Sequence, residues 1–225
     1  MELFHVLNRG VDQRSIVADD QDRIRFVHDL FEFNDIKPAG STYYSFQYLD
    51  LRSPDIGEIG DKQKRQNIVE IHGWCLMDNH YHLLLSEKIE GGITLFIRKL
   101  NIGYAKYFNE RYKRTGTLFQ GRTKKKHIDN DAYFLHILNY IHLNPLDYLK
   151  ESNSWREKQI RNHRQALSHL KDYRWSSYID YCGTKNFPSI ITTDLFQNIF
   201  RNYKKEIKSY LREIDTSEIQ SMLLE

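Results

Sequence analysis

The sequence predicts an α+β protein: an antiparallel sheet with helices on one face and a helical C-terminal extension. Two observations carry this. Segments of strand-like pattern alternate with segments whose apolar residues recur every three to four positions, in the order strand, helix, strand, strand, helix, strand, helix. Between the two middle strands, Asp78-Asn79 is turn chemistry, as in a tight antiparallel hairpin. Residues 1–183 read as one domain with an irregular insertion at about 37–66, and residues 184–225 as a helical tail.

Each element has a local reason. Leu3 to Leu7 reads as a short strand, broken by Asn8-Arg9-Gly10. Asp19 or Asp20 caps a helix carrying Ile24, Val27, Leu30 and Phe31 at helical spacing. Pro38, Gly40, Pro54, Gly57 and Gly60 mark the insertion, with a short element expected around Tyr43 to Leu51. Ile68 to Met77 and Tyr81 to Ser86, with His80 at its start, form the hairpin strands, and Gly91-Gly92 ends the second. A long helix from about Thr94 to Arg111 carries Phe96, Ile97, Leu100, Tyr104, Tyr107 and Phe108 as its apolar stripe. Phe119 to Ile128 holds a strand. Asp129 or Asn130 caps a helix that ends near Asn144, because Pro145 disfavours helical geometry in the residue before it. Residues 151–170 suggest a polar helical insertion, and a terminal helix after Thr192 or Thr193 carries Leu195, Ile199 and Tyr203 on one side.

The chain has 225 residues, 40% hydrophobic and 28% charged, which fits a folded protein and argues against disorder. No apolar run approaches the roughly 18 residues of a membrane span. The N-terminus lacks a signal pattern, and two cysteines, Cys75 and Cys182, make neither a disulfide framework nor a four-thiolate zinc site, so a reducing cytoplasm is expected.

The net charge of +3 hides an uneven layout. Ten of 33 Lys and Arg residues but only one of 30 Asp and Glu residues lie between Arg98 and Lys126, giving +9 there and −6 over the remainder. The basic residues are Arg98, Lys99, Lys106, Arg111, Lys113, Arg114, Arg122, Lys124, Lys125 and Lys126, interleaved with Tyr104, Tyr107, Phe108, Tyr112 and Phe119. Such a segment suits a phosphate backbone with bases stacking on rings, as in single-strand binders. It equally suits a solvated basic helix face followed by a charged loop.

Two constellations could carry chemistry. In Asn79-His80-Tyr81-His82, residues two apart on a strand share a face, so the imidazoles project side by side, close enough to bind one divalent metal. A chance pair of surface histidines gives the same spacing, and two imidazoles are an incomplete ligand set. In Tyr140-Ile141-His142-Leu143-Asn144-Pro145, Tyr140 and Asn144 are four apart and share a helix face, with His136 one turn earlier. If that helix packs near the histidine strand, Asn144 offers an amide oxygen to the metal and Tyr140 a nucleophile to a metal-bound phosphate. Alternatively, Tyr140 is one of 15 tyrosines and Asn144 merely ends the helix.

Together the motifs resemble a known family. His80-Tyr81-His82 matches the HUH motif (His, hydrophobic residue, His), within Trp74-Cys75-Leu76-Met77-Asp78-Asn79-His80-Tyr81-His82-Leu83-Leu84. Tyr140 to Pro145 matches Tyr-x-x-x-Asn-Pro, and Gly116-Thr117-Leu118-Phe119-Gln120-Gly121-Arg122 resembles the segment Gly-x-Leu-Phe-Gln-x-Arg. Asn8-Arg9-Gly10 and Tyr173-Arg174-Trp175-Ser176-Ser177-Tyr178 also fit, and all five motifs occur in the family's order. The chain thus resembles the REP-associated tyrosine transposases, relatives of the insertion-sequence-200-like single-tyrosine transposases, over about residues 3–36 and 67–183.

The resemblance implies a ferredoxin-like fold with the HUH pair on a central strand. It implies metal-dependent nicking and strand transfer of single-stranded hairpin DNA through a 5′-phosphotyrosine. Tyr140 would be the nucleophile, His80, His82 and Asn144 the ligands of Mg²⁺ or Mn²⁺, and the basic run with Gln120 the DNA-binding surface. The protein would act as a monomer or homodimer without a membrane. Departures from the family pattern are the longer connections at 37–66 and 148–170, and Leu146-Asp147-Tyr148 in place of the usual small and basic residues after Asn-Pro. Two other readings stay open: a host-adapted DNA- or RNA-binding protein of the same fold without transposition, and a metal hydrolase using the histidines and water.

Overall fold

The computed structural model describes residues 1–39, 65–150, 155–157, 160, 162–213 and 224. The element expected around Tyr43 to Leu51, most of the 37–66 insertion and residues 151–154, 158, 159 and 161 of the 151–170 insertion lie outside the described residues.

Four strands form one antiparallel sheet: β1 (Leu3–Arg9), β2 (Val69–Leu76), β3 (His80–Glu87) and β4 (Lys124–His127), in the order β2-β3-β1-β4. Helices α1 (Asp20–Glu32) and α2 (Gly92–Arg111) are the crossovers, as the element order predicts. Asp19 caps α1 by accepting from the Asp22 N–H. Helix α2 begins two residues before Thr94 because the Glu87 carboxylate accepts from the N–H groups of Gly91 and Ile93. In the hairpin, the Met77 N–H donates to the His80 carbonyl at 2.8 Å, closing a two-residue turn at Asp78-Asn79.

Side chains alternate across β3. Tyr81, Leu83 and Leu85 point into the core beneath α1 and α2, with Phe26, Leu30, Phe96, Leu100 and Tyr104. Leu84 points to the opposite face, with Ile137, Leu138 and Ile141 of α3 (Asp131–Leu143). The sheet is therefore covered on both sides. The two crossovers lie on one face as expected; α3 and the C-terminal helices cover the second face, where the sequence reading placed none. The physical reason is the continuous apolar run of β3, which leaves neither face suited to water. Gly73 in β2 allows the close approach of α3: a Cβ there would lie 2.8 Å from Leu138 Cδ1.

Two expected elements differ in extent. The strand expected over Phe119 to Ile128 is only Lys124–His127, because Gly121 takes a positive φ of 56° and breaks the run. The single terminal helix is two, α6 (Asp194–Ile199) and α7 (Tyr203–Glu213), after α4 (His163–Asp172) and the one-turn α5 (Tyr178–Tyr181). Phe200 leaves helical geometry, and the Asn202 side chain accepts from the Lys205 N–H to start α7. Among the described residues, no helix is long and apolar enough to cross a membrane.

The C-terminal part is tied to the sheet by hydrogen bonds. The Ser176-Ser177 segment runs along β2: the Leu76 N–H donates to the Trp175 carbonyl, the Ser177 N–H to the Trp74 carbonyl, and the Trp74 N–H to Ser177 Oγ. Ser177 Oγ lies 2.7 Å from His142 Nε2, whose other ring nitrogen is 2.7 Å from the Tyr203 hydroxyl of α7. Burial pushes the His142 imidazole down to about 3, and burial also lowers that of His72. In the unfolded chain both return to an ordinary value near 6.5. Below that pH the unfolded chain takes up protons that the folded one refuses, so stability is full above pH 6.5 and is lost as pH falls. Lowering the pH from 7.0 to 5.5 is expected to lower unfolding free energy by about 1 kcal/mol through His142, and His72 acts in the same direction. Urea titrations at the two pH values check this, and His142→Gln should remove that residue's share of the loss.

Candidate active site

The site lies on the sheet face that α3 covers. In the β1–β3 register Leu7 is opposite His82, Arg9 opposite His80 and His5 opposite Leu84. Directly opposed residues share a face. His5, Arg9, His80 and His82 thus project together toward α3.

The two imidazoles predicted to pair do so, with ring centroids 5.0 Å apart. Tyr140 comes from α3 to meet them: its ring centroid is 5.9 Å from that of His82 and 6.1 Å from that of His5, both edge-on. The sequence reading placed these groups on separate elements, and packing brings them together. His136, one turn before Tyr140, bonds the Tyr210 hydroxyl of α7 at 2.9 Å instead.

Residues not singled out in the sequence orient the pair. His80 Nδ1 lies 2.6 Å from Asn79 Oδ1. An amide oxygen only accepts, so Nδ1 carries the proton and Nε2 the lone pair. His82 Nδ1 lies 2.9 Å from His5 Nε2, and His5 Nδ1 lies 2.9 Å from the Tyr133 hydroxyl. When His5 donates to Tyr133, His82 Nδ1 donates to His5 and Nε2 of His82 keeps its lone pair. This is the way metal-binding histidines are held by their outer partners. The signal for His5 was its alternation with Leu7 and Arg9 on β1; it becomes readable only when the β1–β3 register is known.

Among the described residues, no group of three or more His, Cys, Asp or Glu side chains could hold a metal ion. The two imidazoles fit a divalent cation through their Nε2 atoms, and a third protein donor must be another oxygen, such as that of Asn144. Asn144 is fully buried. Its Nδ2 donates to the Tyr140 carbonyl at 2.8 Å and its Oδ1 accepts from Arg156 Nη2 at 2.9 Å. The structure thus holds Asn144 against the Tyr140 backbone and gives its oxygen a cationic partner that the sequence did not reveal.

That partner belongs to the Trp155–Glu157 turn. The Trp155 ring centroid is 5.7 Å from that of Tyr140, and the Arg156 guanidinium carbon is 5.7 Å from the Tyr140 ring centre. Asp147 accepts from both Trp155 Nε1 (2.8 Å) and Arg156 Nη1 (2.5 Å). Under this cover Tyr140 has no exposed surface. The departure at Leu146-Asp147-Tyr148 therefore has local roles: Leu146 is buried, Asp147 anchors the turn, and the Tyr148 hydroxyl accepts from the Asp78 N–H at 2.6 Å.

The basic segment is only partly brought to one place. Arg111 binds Asp19 and the buried Asp22, and its guanidinium holds the Asp19 carboxyl below the usual range. Lys99 donates to the carbonyls of Asp35 and Lys37. Arg114 packs over the Phe108 ring. Lys106 and Lys113 are exposed along and just past α2. The rest gather at the edge strand β4. Lys124 and Lys126 oppose Leu7 and His5, on the histidine face; Lys125 opposes Val6, on the other. Arg9, Gln120, Arg122 and Lys124 line a cleft of about 590 Å³, and Arg98, Arg122 and Lys125 line a second of about 300 Å³. Arg122 belongs to both, so a basic ridge wraps the sheet edge beside His80.

All five sequence motifs converge here. The Gly10 N–H donates to the Asn79 carbonyl at 2.7 Å, the Val11 N–H to Leu118 and the Gln120 N–H to Arg9, while Trp175 to Ser177 pairs with β2. Gly10 has no alternative, because a Cβ would lie 2.2 Å from the Arg14 carbonyl oxygen.

Residues 43–144 match the family model described as Transposase IS200 like. No curated protein matches the chain. Among solved structures, a REP-associated tyrosine transposase bound to a REP hairpin is similar, with 14% sequence identity over 85% of this chain and 84% of that one and a TM-score of 0.47. The matched stretch holds both histidines, Tyr140 and Asn144.

Proposed function

We propose that the protein nicks and rejoins single-stranded, hairpin-forming DNA through a covalent tyrosine intermediate. The observation that carries this is the meeting of Tyr140 with His80 and His82 from separate elements, beside a basic ridge. His80 and His82, with Asn144, would hold Mg²⁺ or Mn²⁺. Such an ion, when bound, withdraws charge from a phosphate and offsets the charge of the transition state.

The remaining roles fall to the chain's own groups. Arg9, Arg122 and Lys124 hold the backbone of a single strand beside His80. Tyr140 Oη attacks the phosphorus, a new O–P bond forms, and the bond from phosphorus to the 3′ oxygen breaks. The phenol's proton leaves to solvent and the 3′ oxygen departs as a hydroxyl, leaving DNA linked by its 5′ phosphate. Attack by a 3′-hydroxyl on that link reverses the chemistry and joins strands. The REP hairpin bound by the similar transposase suggests palindromic repeats as the substrate class. The full burial of Tyr140 favours a second reading, a DNA-binding protein of the same fold that does not cleave.

Labelled hairpin single strands incubated with Mn²⁺ should yield a protein–DNA adduct on a denaturing gel, absent in Tyr140→Phe. Binding without an adduct would establish the second reading, and cleavage surviving Tyr140→Phe would point to metal-activated water. His5→Phe should raise the Mn²⁺ concentration needed for the adduct by 10- to 100-fold, roughly the effect of removing an outer partner of a ligand. Binding should weaken about tenfold or more between 50 and 200 mM salt; a flat response in fluorescence anisotropy would remove the basic ridge from the interface.

A further inference from the structure

We propose that Arg156 is a latch on this site: it occupies the Asn144 oxygen and, with Trp155, covers Tyr140 until a divalent cation displaces it. The proposal rests on the reading of His80, His82 and Asn144 as the ligand set, and it adds a residue from a part of the chain that matched no motif.

The geometry makes the two states exclusive. Arg156 Nη2 donates to Asn144 Oδ1 at 2.9 Å. An amide oxygen has two lone pairs, so valence alone would let it serve both a guanidinium and a metal. Charge forbids it: a cation and a dication within about 4 Å of each other in a buried site repel by several kcal/mol at an effective dielectric near 20. The arrival of metal at Asn144 therefore requires Arg156 to leave. The guanidinium carbon is 4.2 Å from the Trp155 ring, and Asp147 accepts from both side chains, so the two move as one cover. Tyr140 and Trp155 have no exposed surface, and a phosphodiester reaches the phenol only when that cover is lifted. One displacement thus frees the ligand and bares the nucleophile. Coupling of this kind is reciprocal: the closed cover weakens metal binding by the factor by which metal opens the cover.

The test measures Mn²⁺ binding to the full chain without DNA, from the electron paramagnetic resonance of free Mn²⁺. Arg156→Met should bind Mn²⁺ about tenfold more tightly than the parent, a coupling of ordinary size. Removing any positive charge favours a cation, so Asp147→Asn is the decisive variant. It removes a negative charge, which by field alone weakens Mn²⁺ binding; loosening the anchor of Arg156 strengthens it. Tighter binding in Asp147→Asn supports the latch, and unchanged or weaker binding overturns it. In the parent, Mn²⁺ should also change tryptophan fluorescence, and the change should vanish in Trp155→Phe, which keeps Trp74 and Trp175; a change that persists there overturns the latch. Should Arg156→Met fail to fold, Asp147→Asn and the fluorescence readout decide alone. If His80→Ala/His82→Ala binds Mn²⁺ like the parent, the ligand reading fails and takes the latch with it. If the doubly substituted protein loses Mn²⁺ while Asp147→Asn shows no gain, only the latch fails.

Discussion

The antiparallel pairing of β1 with β3 fixes which way two histidines face, and the position of every other functional group follows from it. β3 is an inner strand with a core on each side. Leu83 and Leu85 enter the layer under α1 and α2, while Leu84 meets α3. A slip of one residue would turn His80 and His82 into the apolar layer and Tyr81 out of it. Each imidazole left without partners there would destabilise the fold by about 1–3 kcal/mol. The cost of burying the two imidazoles without partners, with Tyr81 alternating between them, thus specifies the register, and the register delivers Arg9 to His80 and His5 to the neighbourhood of His82.

The tyrosine helix is positioned from three sides. Gly73 lets it approach β2, where it packs through Ile137, Leu138 and Ile141. His142 connects it to Ser177 at the sheet edge and to Tyr203 on α7. The Trp155–Glu157 turn closes the remaining side. A helix buried nearly all round holds its side chains in fixed rotamers, as the attack proposed for Tyr140 requires.

Much of this was legible in the sequence because the signals were local. The hairpin turn, the Asp19 and Asn130 caps and the alternation of β3 depend on residues within a few positions of each other, and each element appears near its expected place. The histidine pair and the Tyr140–Asn144 spacing were legible for the same reason. Strand β4 was blurred because Lys124-Lys125-Lys126 has little of the β-branched or aromatic character that marks strands; its pairing with β1 is a tertiary fact. The break between α6 and α7 had a signal, Asn202 as a cap, that a continuous apolar stripe concealed. His5 and Arg156 were invisible as site residues, since each becomes one through a partner 77 or 12 positions away.

Charge makes the same point. A count of ten basic residues against one acid suggests a uniform DNA-binding surface, yet the fold sorts them. Asp22 is fully buried and draws Arg111, together with the hydroxyls of Tyr107 and Tyr112, into the junction of α1 and α2. Removing one partner of such a buried network leaves the carboxylate uncompensated, so Arg111 is held there by the stability of the fold. Lys99 is likewise drawn to the carbonyls past the end of α1. Arg98 on α2, Arg122 just ahead of β4, and Lys124 and Lys125 on β4 stay exposed, and this edge strand presents lysines to both faces of the sheet. An edge of this kind resists pairing with another strand. It also presents positive charge on both faces of the sheet beside the tyrosine site, and the proposed path of a single strand past His80 rests on that placement more than on the total of +9.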